Sequence, residues 1–86
     1  MKYRKRPVVI EALQFTDKTK DQVYHWANSC QMNIEPSYRD GNPVLLIPTL
    51  EGEMTCQIDD YLIKGIKGEF YPCKPDIFNS TYEAVE

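Results

Sequence analysis

The chain has 86 residues, is 42% hydrophobic, 12% aromatic and 27% charged, and carries a formal net charge of −3. That length fits one domain with a modest core, and the apolar content excludes a disordered chain. The absence of an apolar run of about 18 residues excludes a transmembrane helix, and the acidic balance is a poor footprint for duplex nucleic acid.

The opening MKYRKRPVVIEALQF is basic, then apolar. Glu11 and Gln14 interrupt the apolar run and no small-residue cleavage site follows, so it reads as part of the domain, not as a signal peptide. The expected compartment is the cytosol. Lys2, Arg4, Lys5 and Arg6 form a basic arm. Residues 7–15 are β-branched and apolar and predict a strand. Glu11 shares a face with Val9, Leu13 and Phe15, which calls for a bulge or a strand with both faces partly covered, and Glu11 is either at an edge or a partly buried carboxylate with a partner.

The period then changes. Val23, Trp26, Ala27 and Cys30 fall at i, i+3, i+4 and i+7, one apolar stripe of a helix over residues 19–30. Thr19 followed by Gln22 matches a capping box. The single histidine, His25, lies off the stripe and reads as a surface residue. Residues 31–43, with Pro36, Asp40-Gly41 and Asn42-Pro43, read as loop. VLLIPTL is a strand in which Pro48 marks an edge or an interruption. After the Glu51-Gly52 turn, Met54, Cys56 and Ile58 alternate with polar residues, as in a half-buried strand.

YLIKGI and EFYPC flank Lys67-Gly68 and predict a hairpin in which Gly68 takes a positive φ. The string Gly65-Ile66-Lys67-Gly68 lacks the Walker pattern and has no helical flanks, so it is not a phosphate loop. PDIF predicts a short helical turn with Pro75 at its first position, and STYEAV a closing strand. The fold class is therefore α+β over residues 1–86, a small, mostly antiparallel, curled sheet packed on one helix.

Cys30, Cys56 and Cys73 are odd in number and widely spaced, which argues against a disulfide framework or a zinc knuckle. Cys73 has no histidine beside it in the sequence and reads as a structural thiol. No Ser/His/Asp set, metal cluster or cofactor fingerprint is present, so the chain reads as non-enzymatic, with no cofactor and no metal.

YRKRPVVIEALQFT, IPTLEGEM and DYLIKGIKGEFYPCKPDIFNSTYE together resemble the PGDYG-type family of small proteins from phages and prophages of Gram-positive bacteria. The likeness covers most of the chain outside residues 17–43. Ile58-Asp59-Asp60-Tyr61 stands where that family has Pro-Gly-Asp followed by Tyr or Trp. The resemblance implies a viral origin and residence in the cytosol of an infected bacterium, and it supplies no activity.

Two binding functions remain. One is capture of a small anion or nucleotide, such as a host immune signal, by Arg4, Trp26, Lys64, Lys67, Tyr71 and Lys74, cations and aromatic faces being the means of holding a stacked, charged ligand. So small a domain has little depth for a pocket, so this reading expects a homo-oligomer. The other is a protein–protein module docking on a host or phage factor through a sheet edge or the basic arm. A basic, aromatic concavity would favour the ligand; an apolar patch on one copy would favour the protein partner.

Overall fold

The computed structural model describes residues 9–30 and 33–82. In chain order they form β1 (Glu11–Gln14), α1 (Lys20–Ser29), β2 (Glu35–Arg39), β3 (Asn42–Thr49), β4 (Gly52–Cys56), β5 (Tyr61–Lys64), β6 (Phe70–Cys73) and α2 (Pro75–Thr81). The α+β class holds, and the helical turn expected at Pro75 forms and extends into the second helix, α2. The strands form two separate antiparallel sheets, β1-β5-β6 and β2-β3-β4, where one curled sheet was expected.

Helix α1 forms where the 3.6-residue stripe placed it. Val23 and Ala27 are fully buried, and Trp26 and Cys30 pack half-buried against the same cluster. The capping box does not form. The Thr19 hydroxyl donates to the Gln14 carbonyl at 2.6 Å and accepts the Thr16 N–H at 2.9 Å, tying the helix entry to the end of β1. Core residues from both sheets meet α1 in one cluster that includes Phe15, Leu45, Ile47, Cys56, Leu62 and Phe70.

The meander β2-β3-β4 corrects the loop expected over residues 31–43. Glu35–Arg39 is a strand, paired antiparallel to β3 through the two-residue turn Asp40-Gly41. Both turn residues have positive φ, 54° and 82°, the geometry whose twist matches a hairpin. Proline, serine and charge masked this strand in the sequence, because cross-strand pairing outweighs a weak intrinsic preference. Pro48 interrupts nothing: it sits on the central strand β3, beyond the stretch that β2 covers.

In the other sheet, Leu62 and Ile63 on central strand β5 are both fully buried, so both faces of this sheet are covered. Leu62 and Phe70 face the main cluster. On the reverse face, Tyr61 stacks on Phe78 of α2, with ring centroids 3.8 Å apart and planes 7° from parallel, and Tyr82 tilts against Phe78 at 5.1 Å. Serine and threonine of STYEAV thus finish a helix and do not open the closing strand expected there; residues 83–86 lie outside the described part. Gly68 has the predicted positive φ, 84°.

Candidate functional site

The structure separates the residues that sequence reasoning grouped. Lys64 pairs with Phe70 at the turn end of the β5–β6 hairpin, whereas Lys74 follows Cys73, which pairs with Tyr61 at the other end. Three strand residues span about 10 Å, so one small ligand does not easily bridge both ammonium groups. Tyr71 is next to Phe70 on the strand and therefore points to the opposite face from Lys64. Alternation had predicted that only one of these neighbouring rings serves the core. Phe70 does, at 2% exposure, and Tyr71 is half-buried on the other face. Trp26 meets Phe70 edge-on at 5.1 Å and 83°, a packing contact. Arg4 lies outside the described residues.

Two of the three lysines already face carboxylates. Lys64 Nζ is 3.9 Å from Glu11, its cross-strand partner, and Glu11 is exposed on the edge strand β1, so its place at an edge, not burial against a partner, accounts for the broken alternation. Lys74 Nζ is 3.5 Å from Asp60 and 3.4 Å from the Gln57 side-chain oxygen. Asp60 is the buried acid of the fold, 3% exposed, and its other oxygen accepts the Gln57 N–H at 3.0 Å. Its carboxylate closes the turn that carries the chain from β4 into β5. Among the described residues no carboxylate lies within ion-pair distance of Lys67.

The cysteines are free thiols. Burial pushes the Cys56 thiol up to about 12, with Asp60 adding in the same direction. Burial also raises Cys73, helped by Asp60 and Asp76. Neither is a thiolate nucleophile near neutral pH. Burial and then a hydrogen bond with Tyr82 raise the Tyr71 phenol to about 12, so that side chain stays neutral. Among the described residues no group of three or more potential metal ligands comes together, and no helix is long and apolar enough to cross a membrane.

The concavities among the described residues include one of about 380 Å³ beside Arg39, Asp40, Gln57 and Asp59, and two others. A groove of about 310 Å³ between α1 and the β2–β3 hairpin contains Tyr24, His25 and Tyr38, but its lysine, Lys20, is 3.0 Å from Asp17. A larger one, about 490 Å³, opens between the β3–β4 turn and the start of β6. Pro48, Leu50, Met54, Phe70 and Tyr71 line it, with Glu51 and Glu69 at its rim. Leu50 is fully exposed at the turn tip and Met54 is 40% exposed. Of the predicted ligand residues only Tyr71 lines this groove. The sequence did carry a signal for it: leucine is a poor residue for a solvated turn, and Leu50 stands directly before Glu51-Gly52.

The fold and groove define a small α+β domain with an apolar, acid-rimmed concavity. Searches of protein-family profiles, curated proteins and solved structures returned no match for this chain.

Proposed function

We propose that the protein is a non-catalytic interaction module that binds another protein through the groove beside β4. The observation that carries this reading is the groove's composition: apolar walls with exposed Leu50 and Met54, acidic rims and no lysine or arginine among its lining residues. Exposed apolar side chains gathered in one concavity mark interaction sites more often than singly scattered ones do. The groove lies whole on one copy, so the module needs no second subunit to complete it. The phage and prophage family that the sequence resembles over most of its length outside residues 17–43 would imply a bacterial host factor or a phage protein as the class of partner. Capture of a small anion has less to draw on, because Lys64 and Lys74 face Glu11 and Asp60.

A photo-crosslinking residue in place of Leu50 tests the reading in bacterial cells. The expected result is an adduct with a defined protein that disappears when Met54→Lys is added, while the melting temperature is kept. A nucleotide panel serves as the counter-test. No Met54-dependent adduct, together with a rise in melting temperature on adding a nucleotide that is lost in Lys67→Glu, would return the protein to the ligand-binding class.

A further inference from the structure

The hydrogen-bonding phase of the sheet edges deepens this reading and rests on it. In antiparallel pairs, residues that exchange both backbone bonds alternate with residues whose N–H and C=O point away from the partner. Proline fixes the phase, because a residue without N–H cannot exchange both bonds. Pro48 faces Glu53 and Pro43 faces Tyr38, so both are non-exchanging pairs. Counting along β4 from that point turns the backbone groups of Glu53 and Thr55 outward and those of Met54 and Cys56 inward to β3. Along β2 the same count turns Pro36 and Tyr38 outward. In the other sheet the Gly65 N–H donates to the Glu69 carbonyl at 2.7 Å. Lys64 and Phe70 are then a non-exchanging pair, so Phe70 and Pro72 face outward on β6, and Ala12 and Gln14 on β1.

Three of the four edges are thereby spoiled for pairing. Pro36 on β2 and Pro72 on β6 have no N–H to offer, and the Gln14 carbonyl on β1 already accepts the Thr19 hydroxyl. Proteins protect exposed edges in such ways, with proline foremost. Among the described residues only β4 presents two successive outward residues, Glu53 and Thr55, with donor and acceptor both open. It carries neither proline nor lysine. Strand β6 approaches both β3 and β4, and its Phe70 shares the cluster of Leu45, Ile47 and Cys56. Among the described residues no backbone hydrogen bond joins β6 to β4, and β3 is the single strand partner of β4, so the outer edge of β4 is unpaired there.

We infer that an extended, basic segment of the partner adds to β4 as a fourth strand of the sheet β2-β3-β4. Its alternate apolar side chains fill the groove beside Met54, Phe70 and Tyr71. Lysine or arginine at its other positions, on the opposite face, meets Glu53, and a basic residue at the groove mouth meets Glu51 or Glu69. This is strand addition, in which backbone bonds supply affinity and alternate side chains supply selectivity. A second copy paired β4 to β4 is a poorer occupant, because it would place the Glu51 and Glu53 carboxylates of both copies along one short ladder.

The test uses a seven-residue peptide alternating lysine with valine, and isotope-labelled full-length protein. Binding is expected with slowed amide exchange at Glu53 and Thr55 and no change at Met54, whose amide is already bonded to β3. N-methylating the peptide amides that face β4 should weaken binding about tenfold or more, while methylating the alternate set leaves it unchanged. The same peptide with glutamate in place of lysine should not bind. Thr55→Pro, an outward-facing position like Pro36, should fold and lose the peptide; if it does not fold, the methylated peptides decide alone. Binding without protection of Glu53 and Thr55 would overturn strand addition and leave the interaction module standing. So would absence of binding in a protein that still gives the Leu50 crosslink. Protection of both amides by self-association, with no peptide present, would replace the partner by a second copy.

Discussion

Asp59 occupies the left-handed region, with φ of 77°, between the end of β4 and the start of β5. Its backbone is pinned there. Its N–H donates to the Phe15 carbonyl at 2.6 Å, and the Phe15 N–H donates to the Asp60 carbonyl at 2.8 Å. The Asp59 carbonyl also accepts the Gln14 side-chain amide at 3.1 Å. Among the described residues its carboxylate makes no hydrogen bond or ion pair, so substitutions here read out backbone conformation almost alone. The left-handed region costs an ordinary L-residue about 1–2 kcal/mol, and aspartate less, because its short polar chain tolerates it. Asp59→Val should therefore destabilise by about 1–2 kcal/mol or somewhat more. Asp59→Gly relieves the strain but frees the unfolded chain by about 0.4–1 kcal/mol, leaving stability within about 1 kcal/mol of the parent. In a domain this small each kcal/mol moves the melting temperature by about 4–8 °C. Urea denaturation of the three proteins, supported by thermal melts, measures the expected order, valine lowest and glycine and aspartate within about 1 kcal/mol of each other. Valine and glycine variants equal within about 0.5 kcal/mol would show that the turn does not hold Asp59 at positive φ.

Two further outcomes follow from burial. Phe70→Ala should cost about 3–5 kcal/mol and Trp26→Ala, partly buried, about 1–3, with the double variant showing about 0.5–1.5 kcal/mol of coupling from their edge-on contact; chemical denaturation of all four proteins measures this, and full additivity would deny the contact. Cys56 keeps its proton in the fold up to about 12 against an ordinary 9.0, so its stabilising contribution is complete below pH 9 and is lost as pH rises through about 12. Tyr71, raised from 10.0 to about 12, adds to the same alkaline loss; Cys56→Ala should flatten the fall in urea midpoint that begins near pH 9, and an unchanged slope would exclude the thiol as its source.

The helix and the hairpins flanked by glycine were legible because each rests on a local pattern. The stripe through Val23 and Ala27 and the positive φ of Gly68 needed no knowledge of the remaining chain. Strand β2 was not legible, because what makes Glu35–Arg39 a strand is β3 alongside it, and nothing in EPSYR alternates in polarity. The split into two sheets was equally hidden, since it depends on β1 pairing with distant β5. For the candidate site, lysines close in sequence looked like a cluster, but a hairpin spreads three such residues over its length and a strand sends neighbours to opposite faces. The carboxylates that meet Lys64 and Lys74 come from Glu11 and Asp60, whose nearness only the tertiary fold creates.

The strand order also sets a timetable. In the meander β2-β3-β4 each strand pairs with its neighbour in the chain, and short loops close quickly. Strand β1 has no such neighbour: it must wait for β5, with α1 and the entire meander looped out between them. As synthesis proceeds from the N-terminus, residues 35–56 can pair while Tyr61–Lys64 is still inside the ribosomal tunnel, and Glu11–Gln14 stays unmatched until that strand emerges. The edge offered by β4 is thus ready before the sheet β1-β5-β6 exists to stand behind it.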